Sequence, residues 1–332
     1  MSWQYESLSL TSELPGWISE ADLDMYWLLE LGAVHGKERR SKEIVREHQA
    51  SVNCPSGVLP VIANHAAVEQ DERFIDKPQL MAWFPGNFAG IANEDRTAAG
   101  ISWLVDQLDP QHIVLDWHTN NNGTSFNGCG RRVSAAALAA SYLLNPVPPV
   151  HFDAWSTFYQ NIPRAASVED GRSYDVASET ARRQEIGQAL ATIIELRPKG
   201  LQELYFDEIV HKLSFMQTIL EVELVDPATY RPNPDVMAVL DELETCNLSE
   251  GNSGEIDLSL KARKVLGLQE DTRYFATSAH YHNQSPVIDS DALRLDALPD
   301  GRQRLLAWGA IHALVQPPTR EEDGDMVVFD AA

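Results

Sequence analysis

Lysine is scarce: only Lys37, Lys42, Lys77, Lys199, Lys212, Lys261 and Lys264 stand against 49 aspartates and glutamates, and arginine carries most of the positive charge. The formal charge is −23 at pH 7. Such a chain repels phosphate backbones, because nucleic-acid affinity rests on clustered Lys and Arg displacing counterions, so nucleic acid is excluded as a partner. An acidic, lysine-poor surface also suits a salt-rich cytoplasm. Cysteine is nearly absent as well. Cys54, Cys129 and Cys246 are odd in number and far apart, so neither a disulfide framework nor a Cys-x-x-Cys metal site is expected, and a reducing cytoplasm is the natural setting. The opening MSWQYESLSL has no basic stretch ahead of an apolar run, and nowhere do about 18 apolar residues follow one another, so neither an export signal nor a membrane partner is expected.

What is present is an ordinary globular composition. At 332 residues with 44% hydrophobic and 23% charged side chains, the chain can bury a large core, as two folded units or one unit with an appendage. Short apolar runs read as buried strands at Met25 to Val34, Gly57 to Ala63, His112 to Trp117 and Ala191 to Leu196. Helical texture lies between them, at Glu38 to His48 and Asp95 to Gln107, and again at Glu203 to Ile219. Strands alternating with helices predict an α/β fold with a mostly parallel central sheet. A proline-rich connector, Asp226 to Pro234, divides a unit at 1–225 from a smaller, β-rich unit at 226–332 that includes the strand-like Arg273 to His282.

Three of these strands end in residues that can bind or move ions. In open α/β sheets, ligands gather outside the carboxyl ends of the strands, so residues there meet in space. The first strand runs into His35-Gly36-Lys37-Glu38, the next into Asp116-Trp117-His118, and the third into Glu195. His35, Glu38 and His118 make a two-His, one-carboxylate set, which leaves a fourth zinc position for water, as catalytic zinc requires. Glu195 beside that water is a candidate general base. A His2Glu set also accepts other divalent ions.

The same residues resemble a known family. VHGKE is similar to the HGxE element of the succinylglutamate desuccinylase/aspartoacylase family, ANHAAVEQDERFID to its NPxAxxxxxRyxD segment, and LMAWFPG with Glu94-Asp95-Arg96-Thr97-Ala98 to its LNRxFPG…ERxA stretch. VLDWHTNNNG resembles DLHxT, and IIELRPKG resembles IEvGPQpxG. The resemblance spans roughly residues 28 to 205. It implies a three-layer α/β/α zinc-carboxypeptidase-like domain, one Zn2+ per chain on His35, Glu38 and His118, Glu195 as base, and Arg73 polarising the scissile carbonyl of a small N-acyl substrate.

One departure bears on specificity. Where the family holds the substrate carboxylate with Asn-Arg, this chain has Met81-Ala82, whose side chains donate no hydrogen bond. Arg96, Arg182, Arg183 and Arg197 are candidate replacements; Arg197 leads, because two residues beyond Glu195 it would share a strand face. Asn120, in the loop Asn120 to Thr124, is a further candidate substrate contact, with turn chemistry as the bland alternative. Asp116 reads equally as support for His118 or as a buried acceptor. His280 and His282, Cys129, and the aromatic Trp83, Phe84 and Phe88 read more simply as packing. The reaction expected is amide hydrolysis. A carboxypeptidase-like peptidase and a non-catalytic binding descendant are the alternatives, and a homo-oligomer is compatible with either.

Overall fold

The computed structural model describes residues 20–36, 38–50, 57–72, 75–76, 80–119, 125–153, 157–170, 176–221, 253–256, 259–260, 263–264, 274–277, 296–297, 303–304, 310–322 and 324–330. The apolar runs do form buried strands: β1 (Leu28–Gly32), β2 (Val58–Ile62) and β3 (Ile113–Thr119). Further along come β4 (Phe126–Gly130), β5 (Arg132–Ser134), β6 (Pro149–Asp153), β7 (Ala165–Asp170) and β8 (Ser214–Glu221). Their order across the main sheet is β2-β1-β3-β7-β4-β6-β8. The first four run parallel, β7 and β4 meet antiparallel, and β4, β6 and β8 run parallel to one another. The carboxyl ends of β1, β3 and β7 therefore lie along one sheet end, beside the amino end of β4.

Helices cover both faces, as a largely parallel sheet requires. On one side α1 (Arg39–Ala50), α4 (Ala135–Leu144) and α6 (Val176–Leu204) close a core around Leu28, Leu115, Trp117, Val168 and Ile193. On the other, α3 (Asn93–Gln107) and α5 (Thr157–Asn161) pack over Leu29, Leu31, Val114 and Ala165, while α2 (His65–Glu69) follows β2. The three layers match the α/β/α expectation.

Strands β9 (Ser253–Ile256), β10 (Tyr274–Thr277) and β13 (Ala310–Val315) extend the sheet beyond β8 in antiparallel pairing, and β11 (Asp296–Ala297) pairs with β12 (Gln303–Arg304). Strands β14 (Thr319–Arg320) and β15 (Met326–Val328) return to β5, and Phe329 is buried against Phe152 and Phe215. The connector at 226–234, His280 and His282 lie outside the described residues.

Two elements differ from the sequence reading. The run Ala191 to Leu196 lies inside α6 and is no strand. Its buried Ile193 belongs to a helical stripe with Ile186 and Leu190, spaced four and three apart. The helix kinks at Arg197 (φ 55°, ψ 176°), where the following Pro198 disfavours helical backbone for the residue before it. Second, the helical stretch ends earlier: α6 stops at Leu204, irregular turns follow to Lys212, and Ser214–Glu221 is β8.

Candidate metal centre

His35, Glu38 and His118 converge at the sheet end, all buried, with one ligand atom from each lying within 4.8 Å of the others. Backbone chemistry builds the turn that carries the first two. Ala33 adopts positive φ to leave β1, its N–H donates to Ser41 Oγ at 3.1 Å, and Ser41 Oγ donates in turn to the Glu38 carbonyl at 3.0 Å. Gly36 is obligatory, because a Cβ there would lie 2.4 Å from the Glu72 carbonyl oxygen and 2.4 Å from the Ala67 carbonyl carbon. That close approach presses the His-Gly-x-Glu turn against the segment after α2.

Both imidazoles address a single oxygen. His35 Nδ1 lies 2.7 Å and His118 Nδ1 3.1 Å from Glu38 Oε1. Burial pushes the Glu38 carboxyl up, but His118 and His35 outweigh it and hold its pKa down to about 2. Its other oxygen, Oε2, is buried with no hydrogen-bond partner. On the far edge of the His118 ring, Nε2 lies 2.7 Å from Asp116 Oδ2. Burial would lower the His118 pKa; Asp116 first, then Glu38 and Glu169, reverse this and hold it well above the usual histidine value. Of the two readings of Asp116, the structure favours support for His118. The donor set is two nitrogens and a carboxylate with an orphaned oxygen, which fits a divalent cation of the zinc type.

A second carboxylate faces this group. Glu169, on β7, is the register partner of His118 and places Oε1 4.0 Å from His118 Nδ1. Its partner on the other side, Phe126, stacks on the buried His151 at a centroid distance of 4.3 Å. Sequence reading missed Glu169 because Ala165-Ala166-Ser167-Val168 is too small and polar to stand out as a buried strand; Glu169-Asp170-Gly171 directly after it was the available signal.

Glu195, in contrast, is exposed on α6, so the shared strand end that joined it and Arg197 to the site does not exist. Arg197 is exposed at the kink. Arg182 is buried and committed, its Nε donating to Asp170 at 3.0 Å and its Nη2 to the Leu144 carbonyl at 2.6 Å. Arg183 ties α6 to Glu43 and Glu47 of α1, and Arg96 donates to the Gly90 carbonyl at 3.0 Å. Arg73 and Asn120 lie outside the described residues. Cys129 is fully buried and its thiol is pushed up far from the thiolate range, which removes it as a nucleophile. Met81 offers only its backbone, accepting from Thr157 Oγ1 at 2.7 Å.

A succinylglutamate desuccinylase from Chromobacterium violaceum superposes over 92% of this chain and 93% of its own, with 16% identity and a TM-score of 0.51. The chain has the succinylglutamate desuccinylase fold. A second such enzyme, from Vibrio parahaemolyticus, covers 95% of this chain and 88% of its own at 13% identity and a TM-score of 0.49. The match to a succinylglutamate desuccinylase from Silicibacter is partial, spanning 51% of this chain and 57% of that one at 17% identity and a TM-score of 0.40. No protein-family profile matches the sequence, and no curated protein matches it. No helix among the described residues is long and apolar enough to cross a membrane.

Proposed function

We propose that this chain is a zinc-dependent amidohydrolase that removes the acyl group from a small N-acyl amino acid or N-acyl amine. The observation that carries this reading is the Glu38 carboxylate, one oxygen of which meets both imidazoles while the other is buried without a partner, with Glu169 4.0 Å from His118 Nδ1. His35, Glu38 and His118 would hold the ion. When bound, it supplies Lewis acidity toward the scissile carbonyl and toward water.

The protein's own groups do the rest. Glu169, rather than Glu195, takes the proton from the attacking water at a carboxylate oxygen and returns it to the departing amine nitrogen, as one C–O bond forms and the C–N bond breaks. Asp116 accepts from His118 Nε2–H, which leaves the Nδ1 lone pair for the cation. Arg73 is assigned the oxyanion, as the family resemblance implies. The Met81-Ala82 replacement leaves the acyl group and the amine open. Cytoplasmic localisation is part of the same proposal and rests on the low cysteine content.

The test is a hydrolysis screen of zinc-loaded protein against N-acetyl, N-succinyl and N-formyl amino acids and amines. Glu169→Gln should lose about 10²–10⁴-fold in kcat with its zinc content unchanged, and Glu195→Gln should stay within about twofold. The opposite pattern would return the base to Glu195, and protein without near-stoichiometric zinc after gentle purification would remove the reading.

A further inference from the structure

Helix α4 opens with Ala135-Ala136-Ala137-Leu138-Ala139-Ala140, and side chains this small let it pack closely on β7 and β4. Pro146 ends it, because a proline disfavours helical backbone for the residue before it. That residue, Asn145, leaves the helical region (φ −137°, ψ 83°) and is fully buried. Its Nδ2 donates to the Phe126 carbonyl at 3.0 Å and to the Glu169 carbonyl at 3.3 Å. Phe126 and Glu169 are register partners, and theirs is the pair of the β4–β7 ladder that stands beside His118. One carboxamide thus joins two strand ends at the residue facing the metal ligands.

The amide has one workable orientation, since its oxygen in place of Nδ2 would face two carbonyl oxygens. The Asn145 backbone carbonyl is held as well, accepting from Asn127 Nδ2 at 3.0 Å and from the Val147 N–H at 2.7 Å. Arg182 makes a second tie between the same two elements: Nε donates to Asp170 Oδ2 at 3.0 Å and Nη2 to the Leu144 carbonyl at 2.6 Å. Residues 144 and 145 therefore grip residues 169 and 170. Val168 shares a core with α4, so alternation along β7 sends the Glu169 side chain to the opposite face. The grip is on the Glu169 backbone from behind the sheet, and its carboxylate is left facing His118. Apolar packing often stabilises a fold as well as a buried ion pair does. What these polar contacts add is a single position for the end of β7.

We propose that Asn145 is a positioning residue for Glu169, with Arg182 as its support: by fixing the Phe126 and Glu169 carbonyls it sets where the Glu169 carboxylate stands relative to the metal ligands. This rests on the reading of Glu169 as the base. Asn145 acts through the backbone and touches neither substrate nor ion.

The experiment compares wild type with Asn145→Ser, whose hydroxyl is too short to span both carbonyls, and Asn145→Asp, which keeps the shape but sets an oxygen against them. Ser141→Ala is the control, removing a buried hydroxyl of the same helix that bonds the Leu138 carbonyl. The first readout is amide hydrogen exchange. Peptides spanning Phe126–Gly130 and Ala165–Asp170 should exchange about tenfold faster in both Asn145 variants, referenced to peptides of β1 and β2 in the same sample, and within about twofold of wild type in the control, as loss of one or two net hydrogen bonds dictates. Exchange unchanged in the Asn145 variants, or quickened equally in the control, overturns the proposal whether or not a substrate is known. Should Asn145→Asp fail to fold, Asn145→Ser carries the test. The second readout is kinetic. Asn145→Ser should lower kcat about 10- to 100-fold, the scale on which misplacing a reacting group acts, with KM and zinc content within about twofold of wild type. When Glu169 is already Gln, the same substitution should change kcat by less than about twofold, because the two act as a unit. Additive losses, or a loss confined to KM or to zinc content, overturn the proposal. Undiminished kcat in Glu169→Gln alone counts against the reading of Glu169 as the base, and hydrogen exchange then decides the proposal by itself.

Discussion

Two histidine–carboxylate pairs, one wholly buried and one with a half-buried histidine, lie on opposite faces of the same sheet, and they differ in what they leave unfinished. On one face Asp116 contacts His118 at 2.7 Å; on the other Glu30 contacts His48 at 2.7 Å. The Glu30 pair is closed. One of its oxygens takes His48 and the other accepts from Trp117 Nε1 at 3.4 Å, so both carboxylate oxygens are hydrogen-bonded in the manner of a structural pair. The Asp116 pair is open. Its histidine turns the second nitrogen to Glu38, a further carboxylate stands 4.0 Å away, and one oxygen each of Glu38 and Asp116 is bare. The surplus of buried negative charge and unmet acceptors, more than the histidines themselves, marks the site that a cation would complete.

The largest effect should separate the two pairs outright. His118→Ala is expected to abolish zinc binding and, with it, hydrolysis by three orders of magnitude or more, roughly the scale on which metal-ligand loss acts. His48→Ala should keep stoichiometric zinc and at least half of the activity per folded molecule. Metal analysis and kinetics on the two variants would break the comparison if His48 proved equally necessary.

Removing the ion comes next. A ligand bound to the native state alone at about a thousandfold above its Kd stabilises by about 4 kcal/mol. Chelator should therefore lower the unfolding free energy of wild type by roughly this amount and leave Glu38→Ala unmoved. The closed pair has its own cost when opened. His48→Ala strands a buried carboxylate and should destabilise the fold by about 3 kcal/mol in urea titration, whether or not zinc is present.

Much of this was legible in the sequence, and for stated reasons. Val34-His35 and Asp116-Trp117-His118 follow continuous apolar runs, so the strands were visible and their ends could be placed together. The glycine of His35-Gly36-Lys37-Glu38 announced a tight turn, and Gly36 is indeed pressed onto the Glu72 carbonyl. Glu195 misled because Ile193-Ile194 is as apolar as a strand core, while its true period of three to four only emerges over Ile186, Leu190 and Ile193 together. Glu169 was hidden by the opposite effect: Ala166 and Val168 are small where α4 packs closely on β7, and that packing cannot be read from four residues. The pairing of Glu30 with His48 joins positions whose partnership depends on α1 lying against β1, a tertiary fact.

The smallest effect sharpens the comparison by pH. Burial would lower the His48 pKa, but Glu30, by its charge and by a hydrogen bond, reverses this and raises it above 6.5. A histidine whose folded pKa exceeds its unfolded value binds its proton more tightly in the native state. The stability it contributes is complete below pH 6.5 and is lost as pH rises through the raised folded value. At saturating zinc, where the open pair is held by its ion, wild-type unfolding free energy should fall from pH 6 toward the mildly alkaline range. His48→Ala should lack this decline, because Glu30 then has no proton-binding partner. Urea midpoints measured at half-unit pH steps on both proteins decide the matter: parallel curves would place the titration elsewhere and dissolve the claim that the Glu30 pair is a closed, purely structural counterpart of the metal centre.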